Sequence, residues 1–235
     1  MAAEDAKILG TWSSPFVMRT MIALNLKGVE YQMIEETASP KSELLLKVNP
    51  VYKKIPVLIH ANRPVCESLI TVQYIDEAWS SGPTILPSDP YERAMARFWG
   101  AYIDDEWFPA FHGVSKMKGE EARKASLERV LEGVQLLEGA YLNFSKGKPF
   151  FGGDRIGYLD IAFGCFLGWI RFKENKYGIK ILGEDKVPGL AKWAERFCLE
   201  TAVKDLMPDA EKLAGFSKVL AARYKAIAAA ATAQT

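Results

Sequence analysis

Over residues 1–80, strand-type alternation and helix-type spacing take turns along the chain. "KILGTW" (7–12) reads as a short strand. From Pro15 to Lys27, Val17, Met21 and Leu24 share one helical face, and Gly28 is a stop signal. "EYQMIEE" (30–36) alternates as a strand should, and "KSELLLKVNP" (41–50) reads as a short helix closed by Pro50. "IPVLIH" (55–60) is an apolar strand, and "RPVCE" (63–67) follows the turn-like Ala61-Asn62. Glu67 to Trp79 carries Leu69, Val72 and Ile75 at helical spacing. The order β-α-β-α-β-β-α predicts a mixed sheet with helices packed on it.

"SSGPTILPSDP" (80–90) is rich in Ser, Gly and Pro and reads as a linker. Beyond it the pattern is helical. Met95, Phe98 and Tyr102 form one row; Asp104, Phe108 and His112 form another. Pro109 should kink this run or end a segment of it. Glu120 to Phe144 is amphipathic, and Leu159 to Phe172, apolar nearly all round, predicts one continuous buried helix. Leu190–Phe197 and Ala202–Leu206 read as further helices, and the Ala-rich end from Ala226 should fray. The fold class is therefore α/β plus all-α: a first domain over 1–80, a linker over 81–90 and a helical domain over 91–235.

The composition narrows the function classes. With 30 basic and 29 acidic residues, the net charge gives no electrostatic argument for nucleic acid or an anionic membrane. "MAAEDAK" lacks the apolar core of a signal peptide, and no run of about 18 apolar residues predicts a span. The three cysteines, Cys66, Cys165 and Cys198, have no CxxC spacing, which fits a reducing, cytoplasmic setting. Asn143-Phe144-Ser145 matches a glycosylation acceptor but has no secretory signal to support it. "GGDRIG" (152–157) has neither the spacing nor the preceding strand of a dinucleotide fingerprint.

Several short segments admit both a structural and a chemical reading. Ser13-Ser14-Pro15 is a helix cap followed by proline at the first helical position. "KKIPVLI" (53–59) is a strand beginning after a turn, or a proline placed so that the residue before it can pair with an extended ligand. "CESLITVQYID" (66–76) opens a helix with Glu67 and Ser68, which suit either capping or the binding of a charged ligand end. Cys66 reads as a small buried hydrophobe or as a modifiable thiol.

Taken together, "WSSPFVMRTMIALNLKG", "KSELLLKVNPVYKKIPVLIH" and "PVCESLITVQYIDEAW" resemble a plant tau-class glutathione S-transferase. "SDPYERAMARFW" and "FFGGDRIGYLDIAFG" are similar to that family's helical domain, so the resemblance spans about residues 7 to 220. It implies the cytosolic glutathione transferase fold: a thioredoxin-like domain holding glutathione and a helical domain supplying a hydrophobic acceptor site. It implies that Ser14, directly before "PF", is catalytic. Lys41 and Lys54 would meet the glycine end of glutathione. Ile55 would offer main-chain groups to the cysteinyl part, with Pro56 cis, and Glu67 and Ser68 would hold the γ-glutamyl end. Arg19 and Asp104 would form a supporting polar network. Phe16, Phe108, His112, Trp169, Phe216, Leu220 and Arg223 fall on positions resembling the acceptor site, although each aromatic reads equally as core.

The resemblance also implies a homodimer, with Arg93, Arg97 and Glu77 spaced for ion pairs across it. No metal and no cofactor beyond glutathione as co-substrate is called for. One departure is Gly157, where the family commonly has Ser or Thr three residues before Asp160; the lost cap bond costs a few tenths of a kcal/mol.

The chemistry suits these residue types. A thiol of pKa about 8.5 is only a few per cent thiolate at neutral pH. Lowering it by about two units takes roughly 2.7 kcal/mol. A helix N-terminus supplies about 0.3–1 kcal/mol, and a hydrogen bond to a charged acceptor about 1.5–3 kcal/mol. The dipole alone falls short; with a serine hydroxyl the sum suffices. Two other functions stay open: a non-catalytic carrier of hydrophobic metabolites, and a thiol-disulfide reductase. The reductase would need a cysteine at the helix start, where this chain has serines.

Overall fold

A computed structural model describes residues 6–37, 40–80, 82–117, 119–219 and 222. The N-terminal half runs β1 (Ala6–Gly10), α1 (Pro15–Leu26), β2 (Gln32–Glu35), α2 (Glu43–Val48), β3 (Val57–His60), β4 (Arg63–Cys66) and α3 (Ser68–Ala78). The four strands lie in the order β2-β1-β3-β4, with β1 parallel to β2 and antiparallel to β3, and β3 antiparallel to β4. This is the thioredoxin-like arrangement.

Strand alternation decides which face each helix covers. Ile8 and Leu58 point with Val17, Ile22, Val72 and Ile75 into the main core, under α1 and α3. Their neighbours Leu9 and Val57 point the other way and pack with Leu45 of α2. Local chemistry sets the helix starts: Ser42 Oγ accepts from Leu45 N at 3.1 Å, and Asp89 Oδ1 accepts from Glu92 N at 2.8 Å.

The connection from α3 to α4 (Pro90–Tyr102) is pinned by Asp76, whose carboxylate accepts from Ile85 N and Leu86 N, both at 2.9 Å. Lys27 at the end of α1 pairs with the same carboxylate at 2.7 Å. A π-helical turn (Ile103–Trp107) follows α4 and leads into α5 (Phe108–Lys116). Pro109 sits at the second position of α5, directly after the π turn, and has no N–H to continue the helical ladder there. The long α6 (Glu120–Ser145), α7 (Tyr158–Gly164), α8 (Leu167–Tyr177) and α9 (Pro188–Leu199) complete the helical half, and 210–219 is again helical.

Two expected elements differ. The segment 159–172 is not one helix: it breaks at Cys165-Phe166, where Phe166 N turns back to Phe163 O at 3.1 Å. Close packing accompanies the break, because a Cβ on Gly164 would lie 2.4 Å from the Phe197 ring and one on Gly168 would lie 2.8 Å from Pro208 O. Ala202–Leu206 forms turns instead of a helix, with Val203 N bonded to Glu200 O and Leu206 N to Val203 O, both at 2.9 Å.

Gly157 at the start of α7 also has a structural reason. A Cβ there would meet Gly152 Cα at 2.9 Å, so the close approach of two backbones leaves little room for a capping side chain. Asp160 organises this corner: it accepts from the N–H groups of Phe151, Gly152 and Gly157 and from Trp193 Nε1, all between 2.7 and 2.9 Å. Burial nevertheless pushes its carboxyl up to about 6, against those four donors.

Candidate active site

The loop from β1 to α1 delivers Ser14 to the mouth of a cavity of about 550 Å³ between the two halves. Ser14 has extended backbone (φ −83°, ψ 118°) and is the N-cap of α1, its Oγ accepting from Val17 N at 3.3 Å. That bond uses a lone pair and leaves the hydroxyl proton free. Among the described residues no protein acceptor takes it. Ser13 is different: it is buried, and its carbonyl accepts from Trp169 Nε1 at 2.9 Å, which ties α8 to this loop.

Opposite Ser14, the cavity is walled by the end of β2 and by α2 with the segment after it. Lys41, Lys53, Lys54 and Ile55 line it. The Ile55–Pro56 peptide is cis. Lys41 Nζ donates to Lys53 O at 2.7 Å, and Asn49 Nδ2 donates to Lys54 O at 2.9 Å, so the segment carrying both lysines is held on each side. Glu36, also in the lining, is buried and accepts from Ser42 N at 3.0 Å and from Ser42 Oγ at 2.5 Å, anchoring the start of α2 beside Lys41.

The start of α3 presents Glu67 and Ser68. Glu67 is an N-cap with φ +67° and ψ 117°, a region costly for a residue with a Cβ, and its side chain caps nothing. Ser68 is buried, and its Oγ accepts from Arg19 Nη1 at 3.0 Å. Arg19, fully buried in α1, also grips Asp104 through two bonds of 2.6 and 2.8 Å and reaches Ala162 O at 2.7 Å. One guanidinium thus joins α3, the π turn and α7. The Cys66 thiol is pushed up by burial and then by Glu67, which makes it a poor nucleophile.

Phe16 and Trp169 separate this cavity from a second one of about 340 Å³, which α1, α5, α8 and the 210–219 segment enclose. Its rings interlock: Phe16 meets Phe108 edge-on at 5.0 Å, and Phe108 stacks on Phe166 at 5.3 Å and on His112 at 5.5 Å.

The glutathione S-transferase N-terminal domain matches residues 4–77, and the glutathione S-transferase C-terminal domain matches 94–200. Glutathione S-transferase U17 of Arabidopsis thaliana is 61% identical over 219 residues, covering 93% of this chain and 96% of that protein. Glutathione S-transferase U18 of the same plant is 58% identical, with coverage of 94% and 97%. A crystal structure of the tau-class enzyme MiGSTU from mango, Mangifera indica, superposes with a TM-score of 0.90 at 62% identity, covering 93% of this chain and all of that one. The chain belongs to the tau class of the glutathione S-transferase family. Rice GST1 (OsGSTU1), solved in complex with glutathione, superposes on this transferase with a TM-score of 0.83 at 37% identity, covering 92% of this chain and 97% of that one.

In this transferase the expected residues divide among three places. Ser14, Lys41, Lys54 and Ile55 line the first cavity, and Phe216 lines it too, edge-on to Trp12 at 5.4 Å. Phe16, Phe108, His112 and Trp169 line the second, the first and last of them facing both. Glu67, Ser68, Arg19 and Asp104 cluster at the start of α3 and behind it. Leu220 and Arg223 lie outside the described residues.

Sequence reasoning missed Trp12, Glu36, Phe111, Phe166 and Lys173. Glu36 carried a usable signal, an acid six residues before the capping Ser42. The other four depend on contacts that no local pattern encodes. The expected interface arginines bond within the chain: Arg93 to Pro87 O at 3.0 Å, and Arg97 to Gln73 Oε1 at 2.8 Å.

Proposed function

We propose that this protein conjugates the thiolate of glutathione to hydrophobic electrophiles, and that Ser14 is the residue that makes the thiolate. The observation that carries the reading is the free hydroxyl proton of Ser14 at the mouth of α1, opening into a cavity that adjoins an apolar one. The hydroxyl donates to the glutathione sulfur while its oxygen still caps the helix. The thiol proton leaves to solvent, the sulfur attacks an electrophilic carbon, and a carbon–sulfur bond replaces the bond to a leaving group such as chloride. With a hydroperoxide the sulfur instead takes one oxygen as the O–O bond breaks, the alkoxide leaves as an alcohol with a proton from solvent, and a second glutathione reduces the resulting sulfenic acid to the disulfide and water. Catalysis is anion stabilisation and positioning.

Around the sulfur, Lys41 and Lys54 meet the glycine carboxylate. Ile55, ahead of cis-Pro56, pairs through its main chain with the cysteinyl unit, and Glu67 and Ser68 hold the γ-glutamyl end. Arg19 positions Ser68 and Asp104 without touching substrate. Phe16, Phe108, His112, Trp169 and Phe216, together with Leu220 and Arg223, receive the acceptor. In this reading residues 1–80 hold glutathione and 91–235 the acceptor, joined by 81–90. The protein works in the cytoplasm as a homodimer, with no nucleic-acid or membrane partner. Among the described residues no helix is long and apolar enough to cross a membrane.

The test is Ser14→Ala. It should lower kcat on chlorodinitrobenzene about tenfold or more while largely preserving glutathione binding, and wild-type-like turnover would refute the assignment. The apolar second cavity also favours a carrier role. Tight binding of a porphyrin or flavonoid without turnover of any electrophile would support that role in place of catalysis.

A further inference from the structure

The second cavity is apolar over most of its wall, yet basic nitrogen gathers on one side. Where α5 meets α8, His112, Lys116 and Lys173 line the same space, and no Asp or Glu is among the described residues lining it. Lys173 is only 3% exposed. Its Nζ donates to the Phe111 carbonyl and sits 4.0 Å from the centre of the Phe111 ring. An ammonium has three donors, and the carbonyl takes one of them. No carboxylate among the described residues pairs with it. The adjacent acid, Glu174, is occupied by Ile181 N and Leu182 N at 2.7 and 3.1 Å. The remaining charges nearby are also basic: Lys176 on α8, and His112 and Lys116 on α5. Ser217 from 210–219 and Phe16 from α1 add none.

A buried cation without a counter-charge is costly, and Lys173 lines a cavity where it meets a carbonyl and a ring but no carboxylate. We propose that this cavity takes acceptors with an aromatic or aliphatic body and a single carboxylate, whose charge pairs with Lys173. The inference rests on the proposed conjugation for the word acceptor; the affinity it concerns requires no turnover.

Burial, and then Lys176, push free Lys173 down to about 7. The ammonium form recognises the anion, so the preference is strongest below that pH and weakens as pH rises through it. Burial, and then Lys116 and Lys173, lower His112 as well, so at neutral pH His112 adds less charge than an exposed histidine would.

The experiment is calorimetric titration of the glutathione-saturated protein with 4-phenylbutanoate and with its uncharged amide, at about pH 6 and about pH 9. Wild type should bind the carboxylate about tenfold tighter than the amide at the lower pH, and the ratio should shrink several-fold at the higher. Lys173→Met should bring the two ligands level, the loss falling on the carboxylate. Equal affinities in wild type at the lower pH, a ratio independent of pH, or a preference surviving in Lys173→Met would each overturn the inference. The wild-type pH series decides alone if the variant folds poorly. Chlorodinitrobenzene turnover by the same wild-type sample separates the two claims. No turnover with an intact carboxylate preference refutes conjugation only, and normal turnover with equal affinities refutes this inference only.

Discussion

The first cavity is walled largely by chain turns and helix starts, and its polar groups include main-chain atoms, a cap hydroxyl, the carboxylates of Glu35 and Glu36, and Lys41 bonded to the Lys53 carbonyl. The second, across Phe16 and Trp169, is a set of rings contributed by separate helices, with one buried ammonium among them. Directional chemistry at the first is held by bonds of a few residues' span. Shape at the second depends on how distant helices meet. A change in the first should therefore alter what happens to the sulfur, and a change in the second what is brought to it.

The largest effect should come from Arg19, which lies behind both regions with its guanidinium 5.1 Å from the Phe16 ring and 5.3 Å from that of Phe166. Arg19→Leu removes the guanidinium bridging Ser68, Asp104 and Ala162 O, leaving Asp104 without its partner. It should destabilise the protein by about 3–5 kcal/mol, read as a lower urea midpoint. An unchanged midpoint would mean that this buried bridge between α3, the π turn and α7 adds nothing to stability.

Next, Trp169→Phe cuts the bond to Ser13 O while keeping a ring between the cavities. A loss of about 1 kcal/mol is expected, with a larger rise in KM for bulky acceptors than for glutathione. The opposite ordering would assign Trp169 to the first cavity alone. Lys41→Ala should raise KM for glutathione about threefold with kcat unchanged, and high salt should shrink the difference, since the site is exposed and its charge is screened.

A stability measurement sharpens the contrast from the other side. Lys173 is lowered to about 7 in the folded protein against about 10.5 unfolded. Between those values the unfolded chain binds more protons, so wild-type stability should rise with pH across that window. Lys173→Met should lack the rise and be at least as stable as wild type at neutral pH, as judged by thermal unfolding.

The same division governs what the sequence disclosed. The sheet and α1 to α3 were legible because alternation, Gly28 and Pro50 mark them locally. Ser14 and Ile55-Pro56 sit at such punctuation, and the family resemblance supplied their chemistry. The break between α7 and α8 was not legible: an all-round apolar run has no periodic mark for a turn at which Phe197 lies against Gly164. Ala202–Leu206 misled because helix-forming residues there are bound into successive turns that bury Val203. Lys173 gave no sign at all, since nothing in "RFKENK" tells a solvated lysine from one folded over the Phe111 ring.

The central claim, that the Ser14 hydroxyl stabilises the glutathione thiolate, is tested most directly by titrating the thiolate absorbance of bound glutathione in wild type and in Ser14→Ala. Wild type should ionise about two units below the free thiol's value of about 8.5, and the variant should recover about one to two of those units. Identical titrations in the two proteins would contradict the account.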